Sequence, residues 1–192
     1  GNDARQLVSP LGGRLPDSSV GMIISSPPYA SAQKYVRAAS LSLGWLDLAA
    51  ANGLRQLEDQ TIGREHYSKA SWDDVASTGI EHADTLIQEI AKQNASRAKI
   101  VGTYLVEMRA ALAEAARVLR PGGCFVLVIG DNTVCGRRFA SSEYLRIMLE
   151  GMGMTTILSL VDPIPSRGLM TRRNETAGII ASESVIVFRK AA

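Results

Sequence analysis

Apolar positions along this chain fall into two kinds of run. Val20-Gly21-Met22-Ile23-Ile24-Ser25 is short and apolar at successive positions, with a Pro16-Asp17-Ser18-Ser19 turn before it and Pro27-Pro28 after it. Two consecutive prolines cannot continue a central strand or a helix, so the run ends there as a strand. Its unbroken apolar character predicts burial on both faces, as in a parallel sheet covered by helices. From Ile100 to Leu119 the apolar residues sit at 101, 104, 105, 108, 112, 115, 118 and 119, the stripe of a long helix. Arg120-Pro121-Gly122-Gly123 joins a cation, a proline and glycines, which is a helix stop. Cys124–Ile129 follows as a second strand, predicted to be fully buried and ending in the polar Gly130-Asp131-Asn132. Ser142–Leu149 reads as a helix closed by Gly151 and Gly153, Met154–Val161 as a third strand and Ser184–Phe188 as a fourth. Strand, long helix, strand, helix, strand, loop, strand is an α/β order in which at least the first strands are parallel.

Residues 31–96 pattern differently. They hold both tryptophans and both histidines. Helices are predicted over Ala38–Leu48 and Asp84–Lys92, and a short one over Trp72–Val75 with Ser71 as its N-cap. The stretch reads as a mostly helical insertion or lid rather than a separate domain.

Composition narrows the class without naming it. A chain of 192 residues has the length of one medium domain, and 46% hydrophobic with 21% charged residues suits a globular protein. No apolar run approaches the ~18–20 residues of a membrane span. Two cysteines, Cys124 and Cys135, argue against a disulfide framework and for a reducing, cytoplasmic setting, with Cys124 in the core and Cys135 in a loop. Trp45 and Trp72 are expected to be core anchors, and Tyr35 and Tyr67 are left open. His66 and His82 have no partner at ligand spacing, so no metal is expected. A net charge of +2 neither requires nor excludes a polyanionic partner.

The sharpest chemical feature is Ser26-Pro27-Pro28-Tyr29, placed directly after the first strand. Ligands of open α/β sheets bind beyond the carboxyl ends of the strands, so the tetrapeptide stands where a site belongs. Two prolines hold the backbone and aim the carbonyls of Ser26 and Pro27. Ser26 adds a side-chain acceptor and Tyr29 a flat ring. Fixed acceptors beside an aromatic plane suit a flat substrate with an amino group, since they hold the amino hydrogens while the ring sets the plane.

Ser-Pro-Pro-Tyr after such a strand resembles the catalytic motif of the amino-directed nucleic-acid methyltransferases, and three further segments extend the likeness. Asn2-Asp3-Ala4-Arg5 with Leu15–Val20 is similar to the segment those enzymes place before the catalytic strand. Arg117–Gly123 with the following Phe-Val-Leu-Val is similar to the fifth-strand region of the S-adenosylmethionine-dependent fold. Glu183–Lys190 resembles the closing strand of bacterial site-specific DNA methyltransferases. The resemblance covers residues 1–35 and 97–190.

It implies a class I, Rossmann-like methyltransferase sheet and transfer of a methyl group from S-adenosylmethionine to an exocyclic amino nitrogen of cytosine, preferred, or adenine. In duplex DNA the base would be flipped from the stack. Ser26, Pro27, Pro28 and Tyr29 would form the catalytic motif, and Asp3, Ala4, Ser25 and Ser26 would contact the cofactor. Two alternatives stay open: an RNA or protein-glutamine methyltransferase, and a non-catalytic nucleic-acid-binding module of the same fold.

Arg137, Arg138, Arg167, Arg172 and Arg173 are candidates for phosphate contact, or members of solvated loops. Asp131 and Asn132 either line the site or make a plain strand-end turn. The family's Phe-x-Gly-x-Gly cofactor turn is absent, and Gly151-Met152-Gly153 closes a helix instead. We therefore expect one catalytic-domain fragment over residues 1–192, with target recognition or a lid at 31–96. Its sheet would be incomplete, finished by an upstream segment or by a second copy in a homodimer.

Overall fold

The computed structural model describes residues 3–30, 35–50, 53–165 and 180–192. In chain order the elements are β1 (Val20–Ser25), α1 (Tyr35–Ala38), α2 (Ser40–Trp45), α3 (Leu54–Gln60), a 3₁₀ turn (Lys69–Ser71), α4 (Glu81–Gln93) and α5 (Ala95–Val118). Then come β2 (Leu119–Gly130), β3 (Asn132–Val134), β4 (Arg137–Phe139), α6 (Ser141–Gly151), β5 (Met154–Pro163) and β6 (Ser182–Lys190). They divide into two compact units, one of residues 1–27 with 105–192 and the other of 28–104.

The first unit is built on a four-stranded sheet in the order β1-β2-β6-β5. β1 runs parallel to β2, while β6 is antiparallel to both of its neighbours. The fold is thus mixed α/β with a partly parallel sheet. The β1–β2 register jumps from Val20↔Leu119 to Met22↔Cys124, so Arg120–Gly123 bulges out of the ladder. Gly122 there takes a φ of +72°, a conformation that costs a side chain dearly. The end of α5 is capped from across the sheet. Lys190 Nζ donates to the carbonyls of Ala116 and Leu119 at 2.7 and 2.6 Å, placing a cation where the helix dipole favours one.

Residues paired across strands share a face, and the two faces of this sheet differ. One carries Phe125, Leu127, Ile129, Ile186 and Phe188, all buried, with Phe125 and Phe188 edge to face at 6.4 Å. Helix α6 packs against β2 and β5. The other face carries Met22 and Ile24, Val126 and Val128, Val185 and Val187, and Leu158 and Leu160. That face is open: Ile24 is 72% exposed and Leu160 51%.

Two sequence expectations are corrected here. β1 is not buried on both faces, because it is an edge strand of the described sheet with one apolar face open. β2 is not fully buried either. From Cys124 onward it alternates half-buried and buried residues, as a strand covered on one side does. The cysteines also exchange roles, Cys124 being half-buried and Cys135 buried.

The second unit is helical. Its core gathers Ile80, Ala83, Ile87 and Ile90 from around α4 with Ala98, Val101 and Tyr104 from α5. Asp84 steadies the approach to α4 by accepting from Thr78 N–H at 2.8 Å and from the Ser77 and Thr78 hydroxyls at 2.6 and 2.7 Å. The predicted single helix over 38–48 is instead split into α1 and α2, and α2 is followed by Asp47 at φ +54°. Trp72–Val75 is not helical. The Ser71 hydroxyl turns back to the Ser68 carbonyl at 2.8 Å, which ends a 3₁₀ turn rather than capping a new helix. Trp45 is no core anchor, since α2 buries none of its residues and leaves that indole 89% exposed. Among the described residues no helix is long and apolar enough to cross a membrane.

Candidate functional site

The carboxyl end of β1 delivers the Ser-Pro-Pro-Tyr segment. Ser25 is half-buried and pairs with Leu127, Ser26 is exposed and Pro27 is buried. The boundary between the two units falls between Pro27 and Pro28, so the motif closes one unit and opens the other.

In the first unit, β2 runs beyond Leu127 to Gly130, which brings Asp131 and Asn132 to the same edge of the sheet as Ser26. Asp131 is the fixed point of that edge. Its Oδ1 accepts the backbone N–H of Ser142 at 2.9 Å and the Ser142 hydroxyl at 2.8 Å, so the carboxylate satisfies donors at the start of α6. Its Oδ2 accepts Arg138 Nε and Nη2 at 3.2 and 2.7 Å. The Asp131 carboxylate raises the pKa of the Arg138 guanidinium in return.

Arg137 and Arg138, expected in a loop, stand instead on a β3–β4 hairpin. Cys135 and Gly136, with φ of +50° and +76°, make its two-residue turn. Both arginines are exposed. Gly130 is also constrained, because a Cβ there would lie 2.7 Å from Ile180 Cγ2. β5 ends and β6 begins at this edge, where Ile164 N–H donates to the Ala181 carbonyl at 3.0 Å. Arg167, Arg172 and Arg173 lie outside the described residues.

The segment leading into β1 is strapped to α5. Arg5 donates to both oxygens of Asp3, at 2.7 to 3.0 Å, and its Nη1 reaches Glu107 at 3.1 Å. That guanidinium holds the Asp3 carboxyl below its usual range. Further along, the buried Glu114 accepts Leu7 N–H at 3.1 Å, Arg14 Nη2 at 2.9 Å, and Arg117 Nε and Nη2 at 2.8 and 2.7 Å. Arg117 also donates to the Leu15 carbonyl at 2.7 Å and pairs with Asp17. Sequence reading missed this clasp, since a Glu and an Arg three apart on a helix announce no partner a hundred residues away.

In the second unit, Pro28 and Tyr29 are half-buried and Ala30 is buried. Gly63, at φ +82°, lets its loop approach Pro28, whose Cβ would sit 3.5 Å from a side chain built there. The Tyr29 N–H donates to the Tyr35 hydroxyl at 3.1 Å. Burial drives the Tyr104 phenol far above its ordinary range, with the Tyr35 and Tyr29 phenols adding to the shift.

A cleft of about 430 Å³ in this unit lies among Trp72, Asp73, Val75, Ile87, Gln88 and Ala91, and no motif residue lines it. Among the described residues no group of three or more His, Cys, Asp or Glu is placed to hold a metal.

No protein-family profile and no curated protein matches the sequence. Among solved structures the chain is similar to a Thermus thermophilus protein described as a DNA modification methylase. In its S-adenosyl-L-methionine complex the identity is 17% over 99% of this chain and 54% of that one, with a TM-score of 0.47. Without that ligand the identity is again 17%, over 100% and 52%, with the same score. The PvuII DNA methyltransferase, cytosine-N4-specific, is 17% identical over 92% of this chain and 44% of that one, with a TM-score of 0.40. The chain spans about half the length of these structures.

Proposed function

We propose that this chain carries the catalytic-motif part of an enzyme that transfers a methyl group to an exocyclic amino nitrogen in DNA, with cytosine preferred over adenine. The observation that carries the reading is the emergence of Ser26-Pro27-Pro28-Tyr29 from the carboxyl end of a strand in a parallel pair. That is where an α/β sheet exposes its ligands.

The acceptor side of the chemistry belongs to this motif. Ser26 Oγ and the Pro27 carbonyl would accept the two amino hydrogens, leaving the nitrogen lone pair directed outward. The prolines keep those acceptors in place, so little reorganisation is needed as charge develops on the nitrogen. Tyr29 would stack on the extrahelical base. No Pro-Cys nucleophile is present, which suits positioning and polarisation without a covalent enzyme intermediate.

The methyl donor would be S-adenosylmethionine, whose sulfonium would supply an electrophilic methyl and depart as the neutral thioether, S-adenosylhomocysteine. Asp3, Ala4, Ser25 and Ser26 would hold it. Their chemistry suits that role: Ser26 is exposed at the strand end, and the Asp3 side chain, held by Arg5, is 47% exposed. Arg137 and Arg138 on their hairpin, and Arg167, Arg172 and Arg173, would contact phosphate. Residues 31–96 would supply target recognition or a lid.

The test is tritiated-methyl transfer from S-adenosylmethionine to duplex DNA, with the product base identified after digestion. Ser26→Ala should lower kcat about 10²- to 10³-fold, and Tyr29→Ala should cost about 1–3 kcal/mol of base stacking. Two variants as active as the native chain would sink these roles, and label appearing only in RNA or in protein would move the substrate class.

A further inference from the structure

We infer that Tyr35 is a positioning residue, its hydroxyl pinning the Pro28–Tyr29 peptide and so setting the Tyr29 end of the motif. The inference rests on the methyl-transfer reading for its purpose and on geometry for its substance. Prolines fix φ at positions 27 and 28, and Pro28 also restricts ψ of Pro27, which leaves ψ of Pro28 free; neither has an N–H to tie down. Tyr29 therefore supplies the first backbone donor after Ser26. That donor is given to the Tyr35 hydroxyl at 3.1 Å.

One bond at this place controls the remaining rotation, ψ of Pro28, and with it the direction of the Pro28 carbonyl and the plane from which the Tyr29 ring projects. A neighbouring loop lies close to the same peptide. Gly63 brings its loop against Pro28 from another direction, with Pro28 Cβ and the Tyr29 carbonyl 3.5 and 3.8 Å from where a Cβ would be. Tyr35 itself stands at the first position of α1, which settles where its ring begins.

The test is amide hydrogen exchange in the full chain, native and Tyr35→Phe. The variant keeps the ring and removes the acceptor, so exchange at Tyr29 should quicken about two- to tenfold while amides of the sheet, such as Phe125 and Phe188, keep their rates. Unchanged exchange at Tyr29, or a uniform quickening everywhere, overturns the inference. The transfer assay separates it from the reading beneath it. Tyr35→Phe should lower kcat by a similar factor with the KM for DNA unchanged, and a KM effect alone would assign Tyr35 to binding instead. If the native chain transfers no methyl group, the methyl-transfer reading fails, and the exchange at Tyr29 still decides whether Tyr35 holds the peptide.

Discussion

Replacing Glu114 by Gln should show how firmly the segment carrying Asp3 and Ala4 is attached. In the native chain four donors converge on this buried carboxylate at 2.7 to 3.1 Å, from Leu7, Arg14 and Arg117. Hydrogen bonds to a charged group are worth about 1.5–3 kcal/mol each when one partner is lost, but they do not sum. Arg14 is 60% exposed and regains water freely, and the neutral amide escapes part of the carboxylate's desolvation cost. The amide keeps one acceptor oxygen for the Leu7 N–H and one arm of Arg117, while its NH2 faces the other arm and the charge is gone, a net destabilisation of about 2–3 kcal/mol.

Urea unfolding followed by far-UV circular dichroism measures it as a fall in midpoint at unchanged slope. The pH dependence gives the sharper check. Hydrogen bonding by Arg117, then Arg14, outweighs burial and holds the Glu114 carboxyl well below its ordinary 4.5. The unfolded chain therefore takes up the proton first on acidification. The stabilisation is complete above about 4.5 and declines as pH falls below it toward the folded value. The gap between native and Glu114→Gln should begin to narrow below about pH 5 and go on narrowing to the lowest pH at which the chain stays folded. A gap that stays constant across that range, or one under about 0.5 kcal/mol at neutral pH, refutes the reasoning.

Two more outcomes follow from the sheet edge. Asp131→Ala removes the acceptor for two donors at the start of α6 and should cost about 1 kcal/mol, read as a Tm lower by about 2–4 °C. Gly130→Ala drives a methyl to 2.7 Å from Ile180 Cγ2 and should cost about 1–3 kcal/mol in a denaturant titration. Adding Ile180→Ala should recover part of that loss, and strict additivity of the pair would place the strain elsewhere.

Periodicity carried most of the regular structure. The stripe from Ile100 becomes α5, which ends at Val118 with Leu119 opening β2, and the runs at Val20, Cys124, Met154 and Ser184 become the four strands of the sheet. What it could not carry is which face of each strand is covered, because an apolar run looks the same in water and in a core. Met22 and Ile24 read as buried for that reason. The β3–β4 hairpin escaped notice because its arms are three residues long and Cys-Gly is an unusual turn pair. At the candidate site, Ser26–Tyr29 was legible as a contiguous motif. Tyr35, Gly63 and the Asp131–Ser142 contact were not, since each acts through a fold that brings distant residues together.

The one-sided sheet has a consequence for how this protein responds to temperature. Heat capacity rises on unfolding because apolar surface enters water. Met22, Ile24, Leu158 and Leu160 are already largely in water when the chain is folded. Their hydration contributes to both states and cancels from the difference. The stability curve is therefore flatter than that of a sheet covered on both faces, with its maximum spread over a wider span and less of a penalty on cooling. Residues that add little to the height of the curve in this way set its breadth.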